Sequence, residues 1–315
     1  MNNIIHCIVI AGPTSSGKSK AAVEAAKRFD GEIISADSRQ VYKDMNLGTG
    51  KVDGTWQKRN GQEVFLYKDV PHYLIDFQEP GKEYNISHFK KDCQNKIIEI
   101  SEKGKVPIIC GGTGFWISSV VYGIELPEVK PNRELRDWLE DMSDEELLKK
   151  LEKLDSSRAK KIDPRNRPRL IRAIEIANKL GKVPSNKAGY YQKDGLATGK
   201  INGHEVSFSQ YAIFPGMEKL EEKIKKRLGK RFKNGMVEEV QNLQKKYGLS
   251  LERIQSFGLA YYWIPIYLQN KMKEKELPER IYSSERKYAK RQLTWLKRER
   301  EWQWIDNSAD IKISR

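Results

Sequence analysis

The sequence predicts an α/β fold, a parallel sheet flanked by helices and carrying a mostly helical insertion. Three observations predict it. An apolar run from Ile4 to Ile10 enters a glycine-rich turn and then a helical repeat with Ala22, Ala25, Ala26 and Phe29. A second short run, Gly31-Glu32-Ile33-Ile34-Ser35, completes a βαβ unit. A third, Val106-Pro107-Ile108-Ile109-Cys110, again ends in glycines. Strands joined by such crossovers are parallel, so the turns that follow them gather at one carboxyl edge of the sheet.

The first of those turns, Gly12-Pro13-Thr14-Ser15-Ser16-Gly17-Lys18-Ser19, is a P-loop pattern with its preceding strand. Gly12 and Gly17 permit turn dihedrals and close approach, while Thr14, Ser15 and Ser16 contribute loop amides. A helix starting near Lys18 directs its N-terminus at a phosphorylated group, Lys18 reaches the outer phosphate, and Ser19 offers a hydroxyl to Mg²⁺. The expectation is a P-loop, nucleotide-kinase-like core binding a diphosphate or more. A nucleotide hydrolase, a kinase and a transferase using another diphosphate all remain open.

Beyond the second strand come Asp37, Ser38, Arg39 and Gln40. Asp37 is placed to orient Mg²⁺, to accept a proton from a nucleophile, or to cap a turn. A segment with Val64 to Tyr67 and Pro71 to Asp76 follows; His72 has no neighbouring ligand pattern and is read as a structural hydrogen-bonding group. Tyr84 to Ser101 predicts a helix that packs through Phe89, Ile97, Ile98 and Ile100. Then Gly111-Gly112-Thr113-Gly114-Phe115-Trp116 places a hydroxyl at the same edge, with two aromatics that line a pocket or pack in the core.

After Leu126-Pro127 the sequence turns amphipathic and charge-rich, with Trp138, Leu139 and Met142 and then Leu147, Leu148, Leu151 and Leu154 at helical spacing. We expect a helical insertion over residues 122–198, dividing a catalytic core of residues 1–121 and 199–315. Within it, Asp163 to Arg172 concentrates guanidinium charge at a helix entrance, which suits an RNA backbone. Gly189 to Gly203 reads as a connector and Glu205 to Phe214 as a strand. Met217 to Tyr247 reads as helix broken near Gly229 and Gly235, and Arg286 to Arg298 as a helix with polar Thr294 and basic Lys287, Arg291 and Arg298 on one face.

With 58 Lys and Arg against 43 Asp and Glu, the chain has a formal charge of +15, which favours a polyanionic partner, nucleic acid foremost. Cys7, Cys93 and Cys110 lack metal-ligand spacing; Cys7 and Cys110 lie in apolar runs and read as small buried hydrophobes, and the count and placement suit a reducing compartment. With no apolar stretch long enough to span a bilayer, the expectation is a cytoplasmic monomer with no membrane contact.

Taken in order, GPTSSGKS (Gly12–Ser19), ADSRQVYKDM (Ala36–Met45), PHYLID (Pro71–Asp76), GGTGFW (Gly111–Trp116), IDPRNRPRLIRAIEI (Ile162–Ile176) and RQLTWLKR (Arg291–Arg298), with Arg227, Gly235 and Glu238-Glu239-Val240, resemble the bacterial tRNA dimethylallyltransferase, or tRNA isopentenyltransferase, family over nearly the whole chain. The resemblance implies transfer of a dimethylallyl group from dimethylallyl diphosphate to N6 of the adenosine immediately 3′ of a tRNA anticodon, with Mg²⁺ assisting and pyrophosphate released. It implies Asp37 as general base and Thr113 as the group positioning the reaction centre. Gly12, Thr14, Ser15, Ser16, Gly17, Lys18, Ser19 and Arg227 would bind the donor diphosphate. Asp37, Ser38, Arg39, Gln40, Arg136, Asn166, Arg167, Pro168, Arg169 and Leu170 would contact the anticodon stem-loop.

Ser256-Phe257-Gly258-Leu259-Ala260 departs from the T-I-G-Y-K common in that family, which puts local packing or tRNA contact in question there. The Cys/His arrangement of the zinc finger carried by eukaryotic relatives is absent. Two other readings of the residues stand beside this one: a P-loop RNA-binding NTPase or scaffold, and a transferase acting on free adenine nucleotide.

Overall fold

The structure is a computed structural model and describes residues 4–59, 61–184, 189–193, 196–299 and 301–313. It divides into two compact units, Met1–Gly123 with Gly189–Arg315, and Ile124–Ala188.

In the first unit β1 (Ile5–Ala11) and β2 (Gly31–Ala36) are buried almost throughout, as strands covered on both faces must be. An antiparallel ribbon of β3 (Thr55–Arg59), β4 (Gln62–Tyr67) and β5 (Val70–Tyr73) follows, then β6 (Val106–Gly111). Later come β7 (Tyr191–Lys193), β8 (Leu196–Ile201), β9 (His204–Ile213) and β10 (Gln303–Ile305). The sheet order is β3-β4-β5-β2-β6-β1-β9-β8-β7, with β10 parallel to the carboxyl half of β9. The strands from β5 to β9 are parallel, and antiparallel pairs extend both sides.

Register fixes where the turns emerge. Ala36, Gly111, Ala11 and Ala212 lie in one row across β2, β6, β1 and β9, so the segments after Ala11, Ala36 and Gly111 leave the sheet side by side. Gly111 must be glycine, because a Cβ there would meet the Ala36 carbonyl oxygen at 2.1 Å.

Helix α1 (Lys18–Phe29) lays Ala22, Ala25 and Ala26 against Ile8, Ile10, Ile33 and Ile108 on one face of the sheet. Val9, Ile34 and Ile109 face the other way and meet α2 (Ile86–Glu102) and α3 (Gly114–Val121) through Phe89, Ile97 and Trp116. α2 starts at Ile86 because Asn85 and His88 form a reciprocal capping box. His72 is buried with Nδ1 2.9 Å from the Val70 carbonyl oxygen, and the three cysteines are buried and unbridged. Of the two aromatics after the second glycine turn, Trp116 is core, stacked on Phe89 at 4.5 Å, whereas Phe115 is exposed.

The second unit holds α4 (Arg133–Glu140), α5 (Asp144–Leu154), α6 (Ser156–Ala159) and α7 (Arg167–Leu180) around Leu139, Leu147, Leu151, Leu170 and Ile174. It is shorter than the expected 122–198. Tyr122 and Gly123 belong to the sheet-bearing unit, as do β7 and the start of β8, which pair in the sheet where a connector was expected. Ser185 to Ala188, Asp194 and Gly195, also covered by that expectation, lie outside the described residues.

The first unit ends with α8 (Met217–Lys233), α9 (Met236–Tyr247), α10 (Leu251–Gln255), α11 (Ala260–Leu268) and α12 (Leu277–Arg298). Gly229 lies inside α8 without breaking it; the break falls at Gly235, whose φ of 89° is the left-handed geometry glycine favours. Among the described residues no helix is long and apolar enough to cross a membrane.

Phe89 joins α2 to α3 and is fully buried. Phe89→Ala should cost about 3–5 kcal/mol of unfolding free energy through lost burial and the cavity left behind. Denaturant titration checks this; an unmoved midpoint would show that the stack is dispensable.

Candidate active site at the carboxyl edge of the sheet

The chain leaves β1 into a loop closed by the Ser16 N–H donating to the Pro13 carbonyl at 3.1 Å. Ser15 and Gly17 have φ of 63° and 105°, and left-handed residues in such a turn bring successive amides to one concave side. Gly12 is required by packing instead, since a Cβ would lie 2.5 Å from Ser16 Oγ and 2.7 Å from the Ile213 oxygen. α1 then begins at Lys18 with neither a side-chain cap nor an acidic residue in its first turn. Its positive end is left uncompensated. Lys18 Nζ donates to the Pro13 oxygen at 3.3 Å, and burial pulls its pKa below the ordinary lysine value. Ser15 Oγ, Ser16 Oγ and Arg227 Nε are buried with no hydrogen bond among the described residues, a pattern an anionic ligand would satisfy.

Past β2, Asp37 Oδ1 accepts the Arg39 N–H at 2.9 Å and the Gln40 N–H at 3.3 Å. The turn-capping reading is therefore correct for one oxygen, and Oδ2 accepts no hydrogen bond from the described residues. Thr113 meets this turn from β6: its Oγ1 accepts the Ser38 N–H at 3.0 Å. Arg39 ties the turn to the segment that departs from the family pattern, donating through Nε to the Phe257 carbonyl at 2.7 Å.

The facing wall comes from α8 and α12. Arg227 donates through Nη2 to Thr14 Oγ1 and lies 3.5 Å from Glu285 Oε2. Arg231, a turn along α8, donates to Glu285 Oε1 at 2.6 Å and to the Gly48 carbonyl at 2.8 Å. Burial lowers the Arg227 pKa and the Glu285 carboxylate opposes that. Tyr288 stands beside Thr113 and Asp37, and burial raises its phenol pKa. Gln292 spans the Thr14 amide and the Gly112 carbonyl.

These surfaces enclose a cavity of about 910 Å³ lined by Thr14, Ser15, Gly17, Lys18, Ser19, Asp37 to Gln40 and Arg227. Nine described Lys and Arg residues line it against the carboxylates of Asp37, Asp53 and Glu285, a balance that selects a polyanion. Arg231, Glu285, Tyr288 and Gln292 were not assigned to the site from sequence, although Arg231, Tyr288 and Gln292 lie in basic segments that the sequence marks. The signal was present in spacing: Arg227 and Arg231 stand at i and i+4, while Glu285, Tyr288 and Gln292 stand at i, i+3 and i+7 of one helix face. No cluster of three or more acidic, His or Cys side chains able to hold a metal occurs among the described residues.

The remaining candidates lie in the helical unit, and several are engaged there. Arg136 makes a bidentate pair with buried Glu175, both bonds 2.8 Å. Arg167 bonds Glu140 and Asp144 at 2.9 and 3.0 Å and the Leu139 carbonyl at 2.9 Å. Asn166 caps α7, Pro168 occupies its first turn, and Leu170 is fully buried in the unit's core. Leu170 therefore has no side-chain surface for RNA. Pro168 and Arg169 are exposed.

Two family models match the chain, IPP transferase over residues 40–299 and isopentenyl transferase over residues 5–61. A tRNA dimethylallyltransferase of Thermoanaerobacter sp. (strain X514) is 38% identical over 297 residues, covering 93% of this chain and 89% of its own. The tRNA isopentenylpyrophosphate transferase of Bacillus halodurans superposes with a TM-score of 0.64 at 28% identity, over 96% of this chain and 90% of its own. A eukaryotic dimethylallyltransferase acting on tRNA reaches a TM-score of 0.74 at 25% identity, over 96% of this chain and 74% of its own.

Glu285→Ala leaves Arg231 buried without its carboxylate and should cost about 3–5 kcal/mol of stability. Glu285→Gln, which keeps an acceptor, should cost less. Paired denaturation curves check the ranking; equal losses would show that charge is not what Glu285 supplies.

Proposed function

The chain belongs to the IPP transferase family and transfers a dimethylallyl group from dimethylallyl diphosphate to a tRNA adenosine, and from that premise we propose how its residues divide the reaction. The carrying observation is one cavity that combines a glycine-rich loop, a partly buried lysine and arginine and, beside them, a carboxylate with one uncommitted oxygen.

The loop 12–19 is a P-loop of nucleotide-kinase type that receives the donor diphosphate. The Ser15 and Gly17 amides, Lys18 and Arg227 take up the negative charge that grows on the leaving group, whereas the Thr14 and Ser16 amides, expected to join them, are committed to Gln292 and to the Pro13 carbonyl. The acceptor is the exocyclic N6 of the adenosine immediately 3′ of the anticodon. Its lone pair is delocalised into the purine ring, so it attacks weakly unless its proton is removed as the bond forms. Asp37 Oδ2 receives that proton, N6 bonds to C1 of the dimethylallyl group, and the C1–O bond breaks to release pyrophosphate. Thr113, bonded to the Ser38 amide, holds the carboxylate turn in register with the reacting carbon.

Ser19 lines the same cavity and fits a Mg²⁺ held mainly by phosphate oxygens and water, a mode that needs no protein cluster of acidic ligands. Such an ion would supply further charge neutralisation on the leaving diphosphate. RNA contact falls to the turn 37–40 and, in the helical unit, to exposed Pro168 and Arg169, with Asn166, Arg167 and Arg136 shaping that surface. A substrate of this kind locates the reaction in the cytoplasm, and because one chain supplies the whole cavity a monomer suffices.

Labelled dimethylallyl diphosphate with Mg²⁺ and the cell's tRNA pool, followed by nucleoside mapping, tests the reading. Label on N6 of the anticodon-adjacent adenosine is expected. RNA-stimulated ATP hydrolysis without transfer would favour an NTPase or scaffold, and label on free nucleotide a different acceptor. Asp37→Ala should slow single-turnover transfer by about 10²–10⁴-fold while retaining donor and tRNA binding; a normal rate would reject Asp37 as base. Arg227→Ala should lose about 10²–10³-fold and impair donor use more than acceptor discrimination. Arg169→Ala should weaken transfer to intact tRNA with donor affinity unchanged; equal damage to both would indicate disrupted folding.

A further inference from the structure

Gln292 is buried on α12, remote in sequence from both loops it touches. Its Oε1 accepts the Thr14 N–H at 2.8 Å and its Nε2 donates to the Gly112 carbonyl at 2.9 Å. A backbone N–H only donates and a carbonyl only accepts, so a single orientation of the amide satisfies both bonds. The side chain fits so closely that a Cβ on Gly112 would lie 2.2 Å from Nε2, with Gln292 Cδ and the Gly12 oxygen each at 3.3 Å. Gly112 has no left-handed φ to explain its glycine. The space it leaves is filled by Gln292.

Thr14 belongs to the loop assigned to the donor, and Gly112 precedes Thr113, assigned to the reaction centre. The Thr14 amide is committed to Gln292 and its hydroxyl to Arg227, so Thr14 links the loop to α12 and α8. One turn before Gln292, Tyr288 adjoins Thr113; one turn after it, Trp295 lies against Gly114, where a Cβ would meet the ring at 2.3 Å. The same helix face thus braces the turn at successive residues.

We propose that Gln292 is a positioning residue that sets the separation of the donor loop from the Gly112–Thr113 turn, so that the allylic carbon and the acceptor nitrogen meet at reacting distance. Gln292 contacts neither reacting atom in this scheme. Misplacement on the order of 1 Å can cost about 10²-fold in rate, so the loss belongs in the chemical step. The inference rests on the transfer reaction proposed above.

The test compares Gln292→Met, of similar length without either hydrogen bond, with Gln292→Ala, Gly112→Ala and the Gly112→Ala/Gln292→Ala pair. Single-turnover transfer, donor and tRNA Kd, and thermal midpoint are measured for each full-length protein. Gln292→Met should lose about 10²-fold in transfer with donor and tRNA Kd within about threefold of the unaltered protein. Gly112→Ala should be strongly impaired alone yet add little to Gln292→Ala, because the clash disappears with the side chain. Transfer by Gln292→Met within about threefold of normal, or additive losses in the pair, would overturn the inference and leave the proposed function intact. Parallel losses in both Kd values and thermal midpoint would also overturn it, by showing a structural role. Absence of transfer by the unaltered protein would overturn both.

Discussion

Two guanidiniums share one carboxylate that water barely reaches, and the site depends on that arrangement. Glu285 pairs with Arg231 and Arg227, so one negative charge meets two positive ones. Burying ions costs several kcal/mol each unless partners compensate, and here compensation is incomplete. The uncompensated charge is carried by Arg227, whose other contact is Thr14 in the glycine loop. In the function proposed here, the donor diphosphate would complete the balance. The preference for an anion would then come from a charge deficit at Arg227 and Glu285 as well as from the loop.

The same carboxylate reaches a third element through Arg231, which grips the Gly48 carbonyl. That turn is fixed from the other side by Glu239, which accepts the N–H groups of Asn46, Leu47 and Gly48 and the Tyr261 hydroxyl. A side chain at Gly48 would collide with the Tyr261 ring at 2.3 Å. Charge, turn and aromatic core are therefore set together.

In the helical unit, charge serves architecture first. The cluster around Asp163 to Arg172 looks in sequence like an unbroken cationic surface, yet Arg167 and Arg172 are engaged with acidic side chains and carbonyls of their own unit. Glu175, four residues beyond Ile171, draws Arg136, Arg172 and the Asn132 amide onto one buried carboxylate, which holds its own pKa low. Net charge overstates what such a helix offers a nucleic acid.

The sequence by itself determined the strand–turn–helix beginning, the carboxylate after the second strand, the glycine turn after the sixth and the presence of a helical insertion. Each is written in local order: apolar runs mark buried strands, and glycines and a lysine at fixed spacing mark the loop. Only the tertiary structure decided which late residues complete the site. Glu285, Tyr288 and Gln292 share one face of a helix, and Gln292 lies in a quoted motif, yet their role could not be read locally, because it depends on the packing of α12 beside α8 and beside the Thr14 loop 278 residues before Gln292. The insertion's boundary failed for the same reason: strand pairing with β9 claims Leu196–Ile201 for the sheet, and pairing is a non-local choice that composition does not record.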